Sequence, residues 1–226
     1  QQSQWLQVRQ IRPDWVILRG WGVMNPTALK AAAKVGFART KIVGVWWSGA
    51  EEDTIPAGAA AKGYISAGFN VSGTNYPVIK DIQKHVVAKG KTNMEDKSRI
   101  GSVYYNRGVV HGIITVEAIR KAQEKYGKGK SITGEQMRWG IENLNIDNAM
   151  LKKLGAEGFM PELKISCMDH EGSGKVKFQQ WDGKQWKVIT DWIDADKSIV
   201  RPMIEESAAK YGKEKNIAPR DCSKES

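Results

Sequence analysis

Two short apolar runs constrain the fold of this chain most. Trp15-Val16-Ile17-Leu18 and Lys41-Ile42-Val43-Gly44-Val45-Trp46 flank an Ala-rich stretch. A continuous apolar run of this length reads as a buried strand. Between them Asn25-Pro26 predicts a helix over residues 27–35, with Asn25 as N-cap, Pro26 in the first turn and Gly36 as the stop. A helix over residues 52–61 and a shorter strand over residues 63–68 repeat the unit. Strand and helix alternating in this way predict an α/β layer with a parallel sheet.

The middle of the chain changes character. Pro77 opens a helix to about residue 88, residues 90–97 read as a polar loop, and residues 99–125 read as one long helix. A further helix over residues 133–144 carries Thr133 and Gln136 in capping-box positions. Residues 70–160 contain no convincing strand. After Pro161 the pattern returns to β, with a short strand at residues 163–165. Two alternating runs, 175–179 and 186–189, then flank Asp182-Gly183, a strong hairpin signal. A last helix over residues 198–213 places Ile199, Met203, Ile204 and Ala208 at helical spacing, and the tail beyond Gly212 reads as loose.

Lys and Arg number 35 against 25 Asp and Glu, a formal net charge of +10. The excess is spread through stretches that also hold Glu, Asp and Gly, and no basic run alternates with aromatics as a single-strand binder requires. The charge therefore reads as a solvated surface, and nucleic acid is not an expected partner. No run approaches the ~18 apolar residues of a membrane helix. The length of 226 residues suits one large domain or two small ones.

Most enzyme signatures fail on single residues. Gly20-Trp21-Gly22 has Asn25 where a dinucleotide fingerprint needs its third glycine, and no acid ends the second strand. Gly172-Ser173-Gly174-Lys175 has Asp169 and Val176 at positions a phosphate-binding loop reserves for Gly and Ser/Thr. His85, His111 and His170 are widely spaced, and His170-Glu171 lacks the second histidine of a zinc protease. No metal site, cofactor or catalytic residue is expected.

What remains is aromatic residues at strand ends. Trp21 follows the first strand and Trp46-Trp47 end the second. In open α/β sheets ligands bind beyond the carboxyl ends of the strands. These tryptophans either wall such a cleft or pack under loops. Ser48, Glu51, Glu52 and Asp53 follow at once, as polar ligand contacts or as an ordinary helix start. The long helix is apolar on most sides and reads as buried, yet it holds Asn106, Arg107 and His111. A buried arginine needs an anion; an internal carboxylate is the favoured partner and a ligand carboxylate the other. Tyr104 and Tyr105, at the start of this helix, are placed to reach a cleft.

Four segments, RPDWVILRGWGVMNPTALKAAAKVGF, GVWWSGAEEDTIPAGAAAKGY, IGSVYYNRGVVHGIITVEAI and HEGSGKVKFQQWDGKQWKVITDW, taken together resemble the branched-chain (hydrophobic) amino-acid type of periplasmic solute-binding protein from ABC transporters. The resemblance runs in order through essentially the whole chain and corresponds to the carboxyl-terminal part of such a protein. It implies a type I periplasmic binding protein fold, two Rossmann-like α/β lobes with parallel sheets joined by three crossing segments, here lacking the amino-terminal part. Residues 1–68 then belong to the second lobe and residues 69–161 to the late helical part of the first. Residues 162–226 cross back to give the hairpin and final helix on the second lobe.

The same resemblance implies the site. Trp21 matches an aromatic over the ligand. Trp46 stands near the place where amino-acid binders put an acid for the ligand ammonium, an acid absent here unless Glu51 or Glu52 replaces it. That departure points away from an aliphatic α-amino acid and leaves an aromatic acid, an amide or another small organic solute. Tyr104 or Tyr105 matches the first-lobe aromatic. The implied ligand set is Trp21, Trp46, Trp47, Ser48, Glu51, Tyr104, Tyr105 and Arg107. In an oxidising periplasm, reached through a signal peptide not present in this chain, Cys167 and Cys222 pair as a bridge or remain two free thiols. The implied partners are a small-molecule ligand and the transmembrane subunits of an ABC permease, with a monomer when intact. A ligand-sensing module of a receptor or regulator on the same fold is the other reading.

Overall fold

Residues Gln2–Ile11 form a helix, α1, that the sequence reading omits. Its only strong signal is Trp5, which is buried and packs on Phe37 with ring centroids 6.0 Å apart. Arg12 ends it in the left-handed region at φ 54°, and Pro13 blocks continuation. The structure is a computed structural model and describes residues 1–224.

Three parallel strands follow: β1 (Val16–Leu18), β2 (Ile42–Gly44) and β3 (Ile65–Gly68), with Val16 opposite Ile42 and Val43 opposite Ile65. The hairpin strands β6 (Lys177–Trp181) and β7 (Trp186–Val188) complete the sheet in the order β1-β2-β3-β6-β7, with β6 antiparallel to β3. This sheet is therefore mixed, parallel at one end and antiparallel at the other. Asp182 makes the hairpin turn by accepting from the backbone N–H groups of Lys184 and Gln185, with Gly183 at φ 108°.

The expectation that β1 is buried fails. It is an edge strand, and Ile17 is 77% exposed. Its other face, Val16 and Leu18, packs into the core with Leu29, Ala32 and Ile42. Helix α2 (Met24–Lys34) starts earlier than expected, with Val23 at its N-cap. Asn25 is no cap: backbone bonds from Met24 to Trp21 and from Asn25 to Gly22 already close that turn. Its buried amide instead donates to Asp53 Oδ1 at 2.7 Å and to the Trp47 carbonyl at 3.1 Å. The expected helix over residues 52–61 divides into α3 (Glu51–Thr54) and a 3-10 stretch, Ile55–Ala61, broken at Gly58, φ 58°.

A second core surrounds the helical middle. Helix α4 (Pro77–Ile82) runs into a π turn. Helix α5 (Val103–Tyr126) starts at its cap, Ser102, whose hydroxyl accepts from the Tyr105 N–H. Helix α6 (Gly134–Glu142) carries the Thr133–Gln136 capping box. It lies close on α5 because Gly140 has no Cβ to strike the Ala118 carbonyl. Contrary to the sequence reading, α5 is not buried all round: Tyr104, His111 and Val116 are exposed, while Val103, Val110 and Ala118 are buried. The absence of strands from this block is also overturned. β4 (Asn145–Ile146) pairs antiparallel with β5 (Leu163–Lys164), and α7 (Asn148–Lys153), capped by Asp147, lies between them. A two-residue strand carries no period for a sequence to display.

Helix α8 (Lys197–Lys215) buries none of its residues, so the apolar stripe of Ile199, Met203 and Ile204 stands exposed. It is anchored through polar groups: Lys197 Nζ to Asp169 at 2.5 Å and Arg201 to the Met168 carbonyl at 2.9 Å. The tail beyond it is tied rather than loose. Cys222 is disulfide-bonded to Cys167, with Cα atoms 5.7 Å apart. Arg220 donates twice to the buried Glu142, at 2.6 and 2.5 Å. The bonds from Arg220, aided by His170 and Arg138, hold the Glu142 carboxyl below its ordinary value of 4.5. A carboxyl lowered in the folded state stabilises fully above its unfolded pKa and loses that contribution as pH falls through the folded value. Arg220→Gln is therefore expected to flatten the stability–pH curve below about pH 4.5 and lower stability at neutral pH. Parallel curves for the two proteins under acid denaturation would remove this role.

Candidate functional site

The carboxyl ends of β1 and β2 are held together by one buried side chain. Ser48 Oγ accepts from the Gly20 N–H at 3.1 Å and lies 3.1 Å from the Gly20 carbonyl. Tyr64 donates its hydroxyl to the Ser48 carbonyl at 2.8 Å from below. A Cβ on Gly44 would strike that hydroxyl, which is why the middle of an apolar strand holds a glycine. Ser48 is thus fully buried beneath the surface its neighbours form.

That surface is aromatic. Trp47 contacts Trp46 with ring centroids 4.8 Å apart and Trp21 with centroids 5.3 Å apart. The three are 66% (Trp21), 41% (Trp46) and 37% (Trp47) exposed. Large aromatic area left in water at the ends of parallel strands is what a ligand surface looks like. Of the two sequence readings, packing under loops and walling a cleft, their exposure fits the second.

Arg107 of α5 faces this cluster. Its Nη2 donates to the Trp46 carbonyl at 3.0 Å and its Nε to Asn70 Oδ1 at 3.3 Å. The guanidinium carbon lies 4.9 Å from the Phe69 ring centroid and 5.3 Å from that of Tyr104. Among the described residues no carboxylate accepts from it: both acceptors are neutral, and Asp53 acts on it only at a distance. Tyr104 is exposed beside it, whereas Tyr105 is half-buried against the second core. Asn106 is buried and donates to the Val71 and Gly73 carbonyls. Sequence reasoning misses Phe69 and Asn70, since nothing after the glycine ending β3 marks them.

The acids after Trp47 are engaged within the protein. Glu51 accepts from the Val103 N–H at 2.9 Å, at the start of α5. Glu52 pairs with Arg99. Asp53 accepts from Asn25 and from the Ala50 N–H at 2.8 Å. Burial raises the pKa of both Glu51 and Asp53 against the pull of these hydrogen bonds.

A cavity of about 360 Å³ opens beside Trp46 and Phe69, walled further by Val110, Ile114, Met160 and Lys175. A larger hollow, about 550 Å³, lies between α5 and β4 and is lined by Glu117, Arg120, Lys121 and Lys153, with no aromatic wall. Among the described residues no three His, Cys, Asp or Glu side chains are placed to hold a metal ion. No helix among them is long and apolar enough to cross a membrane.

A family model described as periplasmic binding protein matches residues 1–185. No curated protein matches the chain significantly. Among solved structures, one described as an ABC transporter permease from the Pseudomonas fluorescens group is 48% identical, with a TM-score of 0.94 over 98% of this chain and 53% of its own. A branched-chain amino acid ABC transporter from Thermus thermophilus with bound valine is 22% identical, TM-score 0.66, over 86% of this chain and 49% of its own. A solute-binding protein of an ABC transporter from R. palustris in complex with benzoate is 14% identical, TM-score 0.56, over 86% and 48%. The last two likenesses are of fold. The chain spans about half the length of each structure.

Proposed function

The chain belongs to the periplasmic binding protein family and carries its type I α/β fold, and from that premise we propose that it is part of the solute-binding component of an ABC importer. That component works in the periplasm. It captures a small organic solute, an amino acid or a related amide or aromatic acid, between two lobes that close about a hinge, and delivers it to a membrane permease without covalent chemistry. The mixed sheet and α8 form one lobe in this reading, and the helical middle with β4 and β5 belongs to the other. Leu163 and Ile165 pack on the second core, which supports drawing the return crossing after them.

The observation that carries the reading is the exposed Trp21–Trp47–Trp46 surface at the strand ends, faced by Tyr104 and Arg107. Trp21, Trp46, Trp47, Tyr104 and Arg107 are proposed to touch the solute. Ser48 and Glu51 act by positioning: Ser48 fixes the turn beneath the tryptophans and Glu51 fixes the start of α5. Tyr105 supports the α5 wall from the core side.

A thermal-shift screen of the whole protein against amino acids, amides and aromatic acids tests this. A bound solute at a hundred times its Kd stabilises by about 2.7 kcal/mol, several degrees in midpoint. Trp21→Ala is expected to abolish the shift while moving the midpoint of the free protein little, because Trp21 is mostly exposed. A panel in which no solute stabilises the protein would overturn the reading.

A further inference from the structure

The charges at the cleft narrow what it takes, given the solute-binding reading above. Leaving aside Arg19, which is exposed to water at the end of β1, six charged side chains stand on or beside the aromatic surface. Five are engaged by a charge or a backbone donor: Glu51 by the Val103 N–H, Glu52 by Arg99, Asp53 by Asn25 and the Ala50 N–H, Glu171 by Arg201, and Lys175 by Glu162 and Asp194. Arg107 is the exception. A guanidinium has five N–H donors, and here one goes to a backbone carbonyl and one to an amide oxygen, both neutral. Its Nη1 has no hydrogen-bond partner and no carboxylate lies within 4 Å of it among the described residues. Burial lowers its pKa, opposed by Tyr104 and Asp53. A partly desolvated cation whose hydrogen-bond acceptors are both neutral, with Asp53 acting on it only at a distance, is arranged for an anion that arrives from outside.

The tryptophans decide what surrounds that charge. Rings set apart around a gap would cage an ammonium. Here the centroids are 4.8 and 5.3 Å apart, so the rings touch and leave no gap for a cation between them. They offer a surface for stacking, and the Arg107 charge, which makes no salt bridge among the described residues, repels a cation nearby. We infer that the cleft takes an aromatic or similarly flat organic anion without an ammonium group, its negative charge on Arg107 and its ring against Trp21, Trp46 and Trp47. Arg107 is then the residue that separates acids from their neutral amides and from amino acids.

Calorimetric titration of the whole protein with benzoate, 4-hydroxybenzoate and cinnamate, their three amides, phenylalanine and valine tests this. At least one acid is expected to bind tenfold or more tighter than its amide, with phenylalanine and valine no tighter than the amides. Arg107→Gln is expected to weaken that acid at least tenfold and leave its amide within threefold, while Arg107→Lys recovers part of the loss. Should the variants fail to fold, the ranking of the eight solutes on the unaltered protein decides alone. Amides binding as tightly as acids, or an amino acid binding tightest, overturns the anion inference and leaves solute binding intact. Failure of every solute here and in the wider screen overturns solute binding itself.

Discussion

Cys222→Ser is expected to lower the free energy of unfolding by about 4 kcal/mol. The bond to Cys167 spans a sequence separation of 55 residues, and closing a loop of that length removes about this much from the unfolded chain in the chain-entropy account. The consequence is local as well as global. Helix α8 lies inside the loop and buries no residue, so it has no apolar packing of the kind that holds most helices in place. Its ties are Lys197 to Asp169 and the Gly172 carbonyl, Arg201 to Glu171 and the Met168 carbonyl, and the clasp beyond it, formed by Cys222 and by Arg220 on Glu142. Cys167, Met168 and Asp169 lie between the second core and the hairpin, so the clasp fixes α8 to the segment that connects them. Urea unfolding of the oxidised protein, the reduced protein and the Cys222→Ser variant measures the loss, and amide hydrogen exchange should find α8 selectively deprotected. Intact mass after denaturing alkylation should show no label before reduction and two after it. A loss under 1 kcal/mol would mean that the polar ties close the loop without the bond.

The features legible in the sequence are those whose physics is local. The Thr133–Gln136 capping box and the Asp182-Gly183 turn need only residues within one turn of each other. The meeting of Trp21 with Trp47, and through it with Trp46, was legible at one remove, because parallel strands bring their carboxyl ends to one edge. What was not legible depends on distant partners. Asn25 looks like a cap until Asp53 and Trp47 claim its amide. Arg107 looks as though it needs an internal acid, but its acceptors come from Asn70 and Trp46, 37 and 61 residues away, and no spacing announces them. β1 looks buried because its composition is apolar on both faces, whereas exposure depends on which neighbours lie beside the edge.

Tyr64 shows how such a distant partner shapes the site, and its truncation is the second large effect expected. Tyr64→Ala should destabilise the protein by about 3–5 kcal/mol, the range for emptying a large buried aromatic site. The side chain is fully buried, packs against Trp186 with centroids 6.0 Å apart, and fills the space that Gly44 leaves open. Its hydroxyl gives the Ser48 carbonyl its donor, and burial raises its pKa well above the ordinary tyrosine value, so it is a neutral donor throughout the physiological range. Tyr64→Phe keeps the volume and removes only that donor, at a cost of about 1 kcal/mol. The two variants therefore separate packing from positioning. The Phe variant should unfold at nearly the parental urea concentration yet hold its solute more weakly, because the turn bearing Trp46 and Trp47 loses its support. Equal losses of stability in both variants would assign the whole effect to the hydroxyl and refute the cavity account. An unchanged solute affinity in the Phe variant would show that Ser48 holds the tryptophan turn through the bonds of its hydroxyl to Gly20 and Leu18.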